Sequence, residues 1–217
     1  MANPLLPYLA PLPLVAVLRG ITPEEIPAIG DALVDAGFRI LEVPLNSPRP
    51  FDSIALLARR YGERCLAGAG TVIEVADVAR VRDAGGRIVV MPHGDAAVIG
   101  AAKALALACV PGVATPTEAF AALRAGADGL KLFPAEALPP AVLKAWRAVL
   151  PKSTLIFPVG GIGPGNLAPY WAAGASGFGT GSGLYRPGQD AATVAAAAAA
   201  LAGAFRALAA HGTESPP

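Results

Sequence analysis

Short apolar runs alternate with longer segments of mixed polarity along almost the whole chain. The runs are LVAVLRG near Leu14, RILEVPL from Arg39, CLAGAGT from Cys65, RIVVMP from Arg87, ALACVPG from Ala106, GLKLFP from Gly129, TLIFPVGG from Thr154 and GFGTGS from Gly177. Each is near-continuous in apolar character, the pattern of a parallel strand covered on both faces. The segments between them read as helices with legible ends. Thr22, Pro23 and Glu25 predict a capping box with proline at the first helical position, and Thr115, Pro116 and Glu118 repeat it. Ala-Gly pairs at Ala36-Gly37, Ala84-Gly85, Ala125-Gly126 and Ala173-Gly174 place a helix-terminating glycine just before the next strand. Eight strand-helix units in 217 residues predict one α/β domain, a (β/α)8 TIM barrel over residues 1–217, with a doubly wound open sheet as the alternative.

The two ends depart from this alternation. The opening MANPLLPYLAPLPLVAVLRG is apolar but has no basic leader and carries prolines throughout, which argues against a targeting peptide. The stretch AATVAAAAAALAGAFRALAA, from Ala191 to Ala210, is the one place to suspect a membrane span. Alanine is only weakly apolar and Arg206 interrupts the run, so a terminal helix packed on the domain is expected. The final HGTESPP, from His211, predicts a disordered tail.

Composition adds three expectations. With 54% hydrophobic and 15% charged residues, the surface is sparsely charged and other copies of the chain should cover part of it. A formal net charge of +1 without a basic cluster offers no footprint for nucleic acid or an anionic membrane. Cys65 and Cys109 lie in apolar runs without metal-ligand spacing, as reduced core residues of a cytoplasmic protein do.

In a barrel, chemistry sits where strands end and the following loops begin. The polar residues at those ends, with one glycine pair, are Arg19, Glu42, Thr71, His93, Lys131, Gly160-Gly161 and Ser182. Lys131 is the only one of four lysines inside an apolar run; such a lysine reaches water, pairs with a carboxylate, or is kept because a desolvated amine is useful. Glu42 is the only carboxylate inside a strand candidate, where burial raises its pKa unless a cation compensates; a structural pairing with Lys131 or Arg19 is its bland reading. Thr71 closes AGAGT, whose small residues allow a ligand close to the backbone, although simple helix capping explains a threonine there equally well. His93 has no second histidine or acid cluster beside it, so no metal site is expected and a loop position suffices.

Two glycine-rich stretches, PVGGIGPGN from Pro158 and GFGTGSGLY from Gly177, coincide with the ends of the seventh and eighth strands and the loops after them. In barrels those loops often converge backbone N–H groups on a phosphate, so a phosphorylated substrate is expected, with Ser182 as a hydroxyl donor. A neutral lysine amine attacks a ketone to form an imine, which draws electrons from the adjacent carbon–carbon bond without a metal or cofactor. Glu42 would pass protons among the intermediates.

The series VLRGI, LEVPLNSP, AGAGTV, GLKLFPAE, FPVGGI and GTGSGLY, from Leu14 to Gly188, resembles the class I aldolases acting on 2-keto-3-deoxy-6-phospho sugar acids. The resemblance implies that Lys131 is the Schiff-base lysine and Glu42 the acid/base glutamate. It further implies substrate binding by Arg19 and Thr71, a pocket lined by Pro92 and Phe133, and a phosphate site of Gly160, Gly161, Gly181 and Ser182. It implies no cofactor, a homotrimer, and cleavage to pyruvate and D-glyceraldehyde 3-phosphate. Asn46 in VPLNSP and Val159 in PVGGI resemble the phosphogalactonate branch, whereas KLFPAE resembles the phosphogluconate branch. The gluconate epimer, 4-hydroxy-2-oxoglutarate, and a sugar-phosphate isomerase or epimerase in which Lys131 is only a charge are the alternatives.

Overall fold

A computed structural model of the chain describes residues 2–10 and 12–210; the tail expected from His211 lies outside them. Among these residues the strands are β1 (Leu14–Val17), β2 (Ile40–Pro44), β3 (Leu66–Gly70), β4 (Ile88–Val90), β5 (Ala108–Val110), β6 (Gly112–Val113), β7 (Leu130–Leu132), β8 (Ile156–Pro158) and β9 (Phe178–Thr180). The helices are α1 (Leu6–Leu9), α2 (Ile26–Ala36), α3 (Pro50–Tyr61), α4 (Val75–Asp83), α5 (Ala96–Ala104), α6 (Pro116–Arg124), α7 (Pro140–Arg147), α8 (Leu167–Ala172) and α9 (Ala191–Ala210). Each apolar run of the sequence holds a strand, and the fold is α/β with a curled, all-parallel sheet.

The closed eight-stranded barrel is met only in part. The strands form one six-stranded arc, β5-β4-β3-β2-β1-β9, and one three-stranded arc, β6-β7-β8. The fifth apolar run divides into β5 and β6 at Pro111, which has no N–H to give to a ladder. At the other seam, β8 ends at Pro158 and the contact with β9 is a single parallel bridge between Val159 and Gly179.

Alternation along the strands sorts their side chains onto two surfaces. Leu41, Val43, Val89, Leu130 and Leu132 join the large core beneath the helices. Ile40, Ile88, Val90 and Phe157 face inward and meet Leu5, which precedes α1 and is fully buried. Glu42 shares the parity of Ile40, and Lys131 lies between Leu130 and Leu132, so both polar side chains face into the curl.

The helix ends follow local chemistry with one exception. Thr115 and Glu118 form the expected capping box on α6, and Gly37, Gly85, Gly126 and Gly174 all adopt positive φ. The box expected at Thr22 and Glu25 is not formed, and α2 starts at Ile26. Glu25 Oε2 does accept from the Thr22 N–H at 2.8 Å, but the Thr22 hydroxyl turns to donate to the same oxygen. The other carboxylate oxygen accepts from the Tyr185 hydroxyl at 2.9 Å and the Gly188 N–H at 3.4 Å. Glu25 therefore ties the loop after β1 to the loop after β9, and the helix begins beyond it.

α9 is long and apolar enough to cross a membrane by length and composition. Here Val194, Ala198, Leu201, Ala202 and Phe205 are buried as it packs on α2 and α8, with Phe205 edge-on to Trp171 at 5.0 Å between ring centroids.

Candidate active site

Because every strand pairing is parallel, the carboxyl ends of the strands open on one face. Arg19, Thr71, Pro92, Phe133, Val159 and Gly181 each follow a strand end by one or two residues. A cavity of about 350 Å³ on that face is lined by Arg19, Lys131, Phe133, Val159, Gly160, Gly161, Gly181 and Ser182, which brings together eight of the residues singled out from the sequence. A smaller void of about 20 Å³ below it is walled by Glu42, Lys131, Val159 and inward-facing apolar residues. Val17, Lys131 and Val159 belong to both, so they separate the open cavity from the closed interior.

Lys131 is 4% exposed and its Nζ lies 4.6 Å from the centre of the Phe133 ring. Burial lowers its pKa, Arg19 lowers it further, and Glu42 opposes both. Glu42 is 1% exposed, and its Oε2 has no hydrogen-bond partner among the described residues. Burial pushes its carboxyl above the usual range, with Lys131 and Arg19 pulling it back. No ion pair within 4.0 Å joins Glu42 to either cation among the described residues, so the simple structural pairing is not what holds these groups. A buried amine and a buried carboxyl whose environments favour their neutral forms are suited to proton transfer.

The small residues of AGAGT serve a different purpose from the one expected. A Cβ on Gly68 would lie 2.1 Å from the Ile88 carbonyl oxygen, and one on Gly70 would lie 1.3 Å from Glu42 Oε2. These glycines admit the neighbouring strand and the carboxylate rather than a ligand. Thr71 has φ +56°, a conformation that costs a β-branched residue about 1–3 kcal/mol and that collects at functional sites. Its hydroxyl accepts weakly from Arg19 Nη2 at 3.4 Å, while Asn46 Oδ1 accepts from Nη1 at 2.8 Å. Thr71 thus meets the site through Arg19. Pro92 follows β4, its carbonyl packed against Gly112, and it does not line the cavity. His93 is exposed in the adjoining loop.

The loop after β8 is held by Asn166, whose Oδ1 accepts from the Gly163 N–H at 2.9 Å and whose Nδ2 donates to the Gly161 carbonyl at 2.8 Å. Gly160 and Gly161 have φ of +108° and +64°, so glycine is needed at both. Two charged residues on the cavity wall were not evident from the sequence, Glu136 and Arg186. Glu136 stands within the quoted GLKLFPAE but past the strand end, and Arg186 immediately follows GFGTGSGLY, where nothing local marks an exposed arginine as facing a site.

Comparison with known proteins gives a consistent set. The family model described as KDPG and KHG aldolase matches residues 7–197. A curated protein of Escherichia coli K12 named 2-dehydro-3-deoxy-6-phosphogalactonate aldolase is 46% identical over 90% of this chain and 95% of its own length. One from Rhizobium meliloti, named a probable aldolase of the same kind, is 47% identical over 90% of this chain and 92% of its own. A solved structure described as native KDPGal superposes with a TM-score of 0.91 at 44% identity, covering 94% of this chain and 98% of that one.

Proposed function

This chain belongs to the KDPG and KHG aldolase family, and from that premise we propose that it cleaves 2-dehydro-3-deoxy-6-phosphogalactonate to pyruvate and D-glyceraldehyde 3-phosphate through an imine on Lys131. The observation that carries the mechanism is the burial of one lysine at the floor of an open cavity, with one unpartnered carboxyl walling the closed void that this lysine shares beneath it.

The neutral Nζ adds to the C2 carbonyl to give a carbinolamine, which loses water to become an iminium. The C4 hydroxyl gives up its proton, the C3–C4 bond breaks, and its electron pair passes to the iminium nitrogen as the aldehyde departs. The enamine then takes a proton at C3 and water releases pyruvate. Glu42 is the group we assign to these proton transfers, since its raised pKa allows it to give a proton as well as take one. Arg19, with Thr71 and Asn46 fixing its guanidinium, is assigned to the substrate carboxylate, and Phe133 to the pocket wall. Gly160, Gly161, Gly181 and Ser182 form the phosphate cradle. Val159 faces the C4 centre with methyl groups only, which accords with the galactonate epimer.

The working architecture we propose is a (β/α)8 barrel in which β5 and β6 act as one strand across Pro111 and the Val159–Gly179 bridge closes the ring. We further propose a cytoplasmic homotrimer without cofactor; exposed Ile73 and Val75 beside the end of β3 and Phe120 on α6 are apolar surface suited to a second copy, and light scattering would measure the assembly.

Borohydride reduction in the presence of pyruvate tests the mechanism. The parent is expected to gain the mass of a reduced pyruvate adduct on Lys131, and Lys131→Ala to gain none while remaining folded. No adduct on the parent would return the protein to a sugar-phosphate isomerase in which Lys131 is a fixed charge.

A further inference from the structure

Four charged side chains line the open cavity: Arg19, Lys131, Glu136 and Arg186. Three of them are accounted for. Lys131 is the amine at the floor. Arg19 is held by Asn46 and Thr71 and acts electrostatically on Lys131 and Glu42. Glu136 lies over the glycine pair: a Cβ at Gly160 would come 2.3 Å from its Oε2, and one at Gly161 2.7 Å from its Cγ. A carboxylate in that position opposes the binding of a dianion, so the cradle needs a compensating cation.

Arg186 is the remaining charge. Its Nε donates to the Ser182 carbonyl at 3.0 Å, which anchors the guanidinium beside the Ser182 end of the cavity. Its two terminal amino groups have no hydrogen-bond or ion-pair partner among the described residues. The backbone of its loop is held in turn, because the Arg186 N–H donates to Gln189 Oε1 at 2.8 Å and the Tyr185 N–H to the Gly181 carbonyl at 3.0 Å. A guanidinium fixed at Nε with both other nitrogens free presents a planar pair of donors, the geometry that recognises a phosphate through two parallel bonds.

We infer that Arg186 is the phosphate-recognising cation of this site and sets its selectivity for phosphorylated over unphosphorylated sugar acids. This rests on the aldolase reading above and adds to it a residue outside the glycine-rich cradle. One charge-assisted contact is worth about tenfold to a hundredfold in affinity.

The test compares kcat/KM of the parent, Arg186→Gln and Arg186→Lys for the 6-phosphorylated substrate and its dephosphorylated counterpart. The ratio between the two substrates is expected to fall about tenfold to a hundredfold in the glutamine variant, mainly through KM, with the lysine variant recovering part of it as a point charge. A ratio within about twofold of the parent, or equal losses on both substrates, would overturn the assignment and leave Arg186 a loop residue. Calorimetry with inorganic phosphate makes the outcome independent of turnover. Weaker phosphate binding by Arg186→Gln than by the parent supports the assignment even if the parent gives no pyruvate adduct, a result that would count against the aldolase reading alone. Equal binding counts against Arg186.

Discussion

Gly70 lies directly against the carboxylate of Glu42, so close that a methyl group on its Cα would come within 1.3 Å of Oε2. The two residues belong to neighbouring strands, where Pro44 pairs with Gly70 and Glu42 with Gly68. The buried carboxyl exists because the facing strand carries no side chain there.

Gly70→Ala should retain the fold, since Gly70 does not need positive φ, but should drive Glu42 out of its position. Turnover is expected to fall by roughly 10² to 10⁴, the loss typical of an acid/base group and the loss expected of Glu42→Gln itself. Steady-state kinetics of Gly70→Ala, Glu42→Gln and the double variant check this. The double should be little worse than either single, because both remove one group.

Lys131 should titrate below the ordinary lysine value of about 10.4, because burial and Arg19 both disfavour its ammonium form. The rate of pyruvate adduct formation should therefore rise with pH through a midpoint below that value. Glu42 works in the opposite direction, so Glu42→Gln should move the midpoint lower still, while Arg19→Leu should move it up. The same shift carries a stability consequence. A depressed folded pKa means that the unfolded chain binds more protons, so the contribution of Lys131 is present above the unfolded pKa and lost as pH falls through the folded one. Adduct yield against pH, read by mass spectrometry, gives the midpoints.

Val159 stands at the seam between β8 and β9 and lines both the open cavity and the interior. Its methyl groups cannot hydrogen-bond a hydroxyl at C4. The parent should prefer the phosphogalactonate substrate, and Val159→Thr should shift the ratio of kcat/KM toward the gluconate epimer by about tenfold to a hundredfold, the effect of supplying a missing partner. Coupled pyruvate assays on both epimers measure it. A parent that favours gluconate would reverse the epimer assignment and leave the imine chemistry intact.

Thr115 caps α6 by accepting from the Glu118 N–H at 3.3 Å, and Glu118 returns the contact to the Thr115 N–H at 2.8 Å. Thr115→Ala should cost about 1 kcal/mol of stability without altering kcat, since α6 contributes no residue to the cavity. Thermal unfolding and a rate measurement check the two halves.

The positions of the strands, the cap on α6, the glycine helix ends and the placing of Glu42 and Lys131 inside apolar strands were all legible in the sequence. Each depends on residues within a few positions of one another, where periodicity and capping chemistry act. The parallel curl then carried the strand ends to one face, which is why Arg19, Lys131, Gly160, Gly161 and Ser182, read from those ends, meet in one cavity. The remainder depended on residues distant along the chain. Gly70 was visible as a small residue, but its purpose became apparent only with Glu42 on the adjoining strand. The start of α2 was misplaced because Glu25 is held by Tyr185, 160 positions away, and a tertiary hydrogen bond outweighed a local cap. Glu136 and Arg186 were ordinary exposed charges until the two glycine-rich loops converged around one cavity. Local free energies decide which element a segment forms; only closure of the sheet decides which side chains share a space, because that is where residues without sequence proximity first exclude or bind one another.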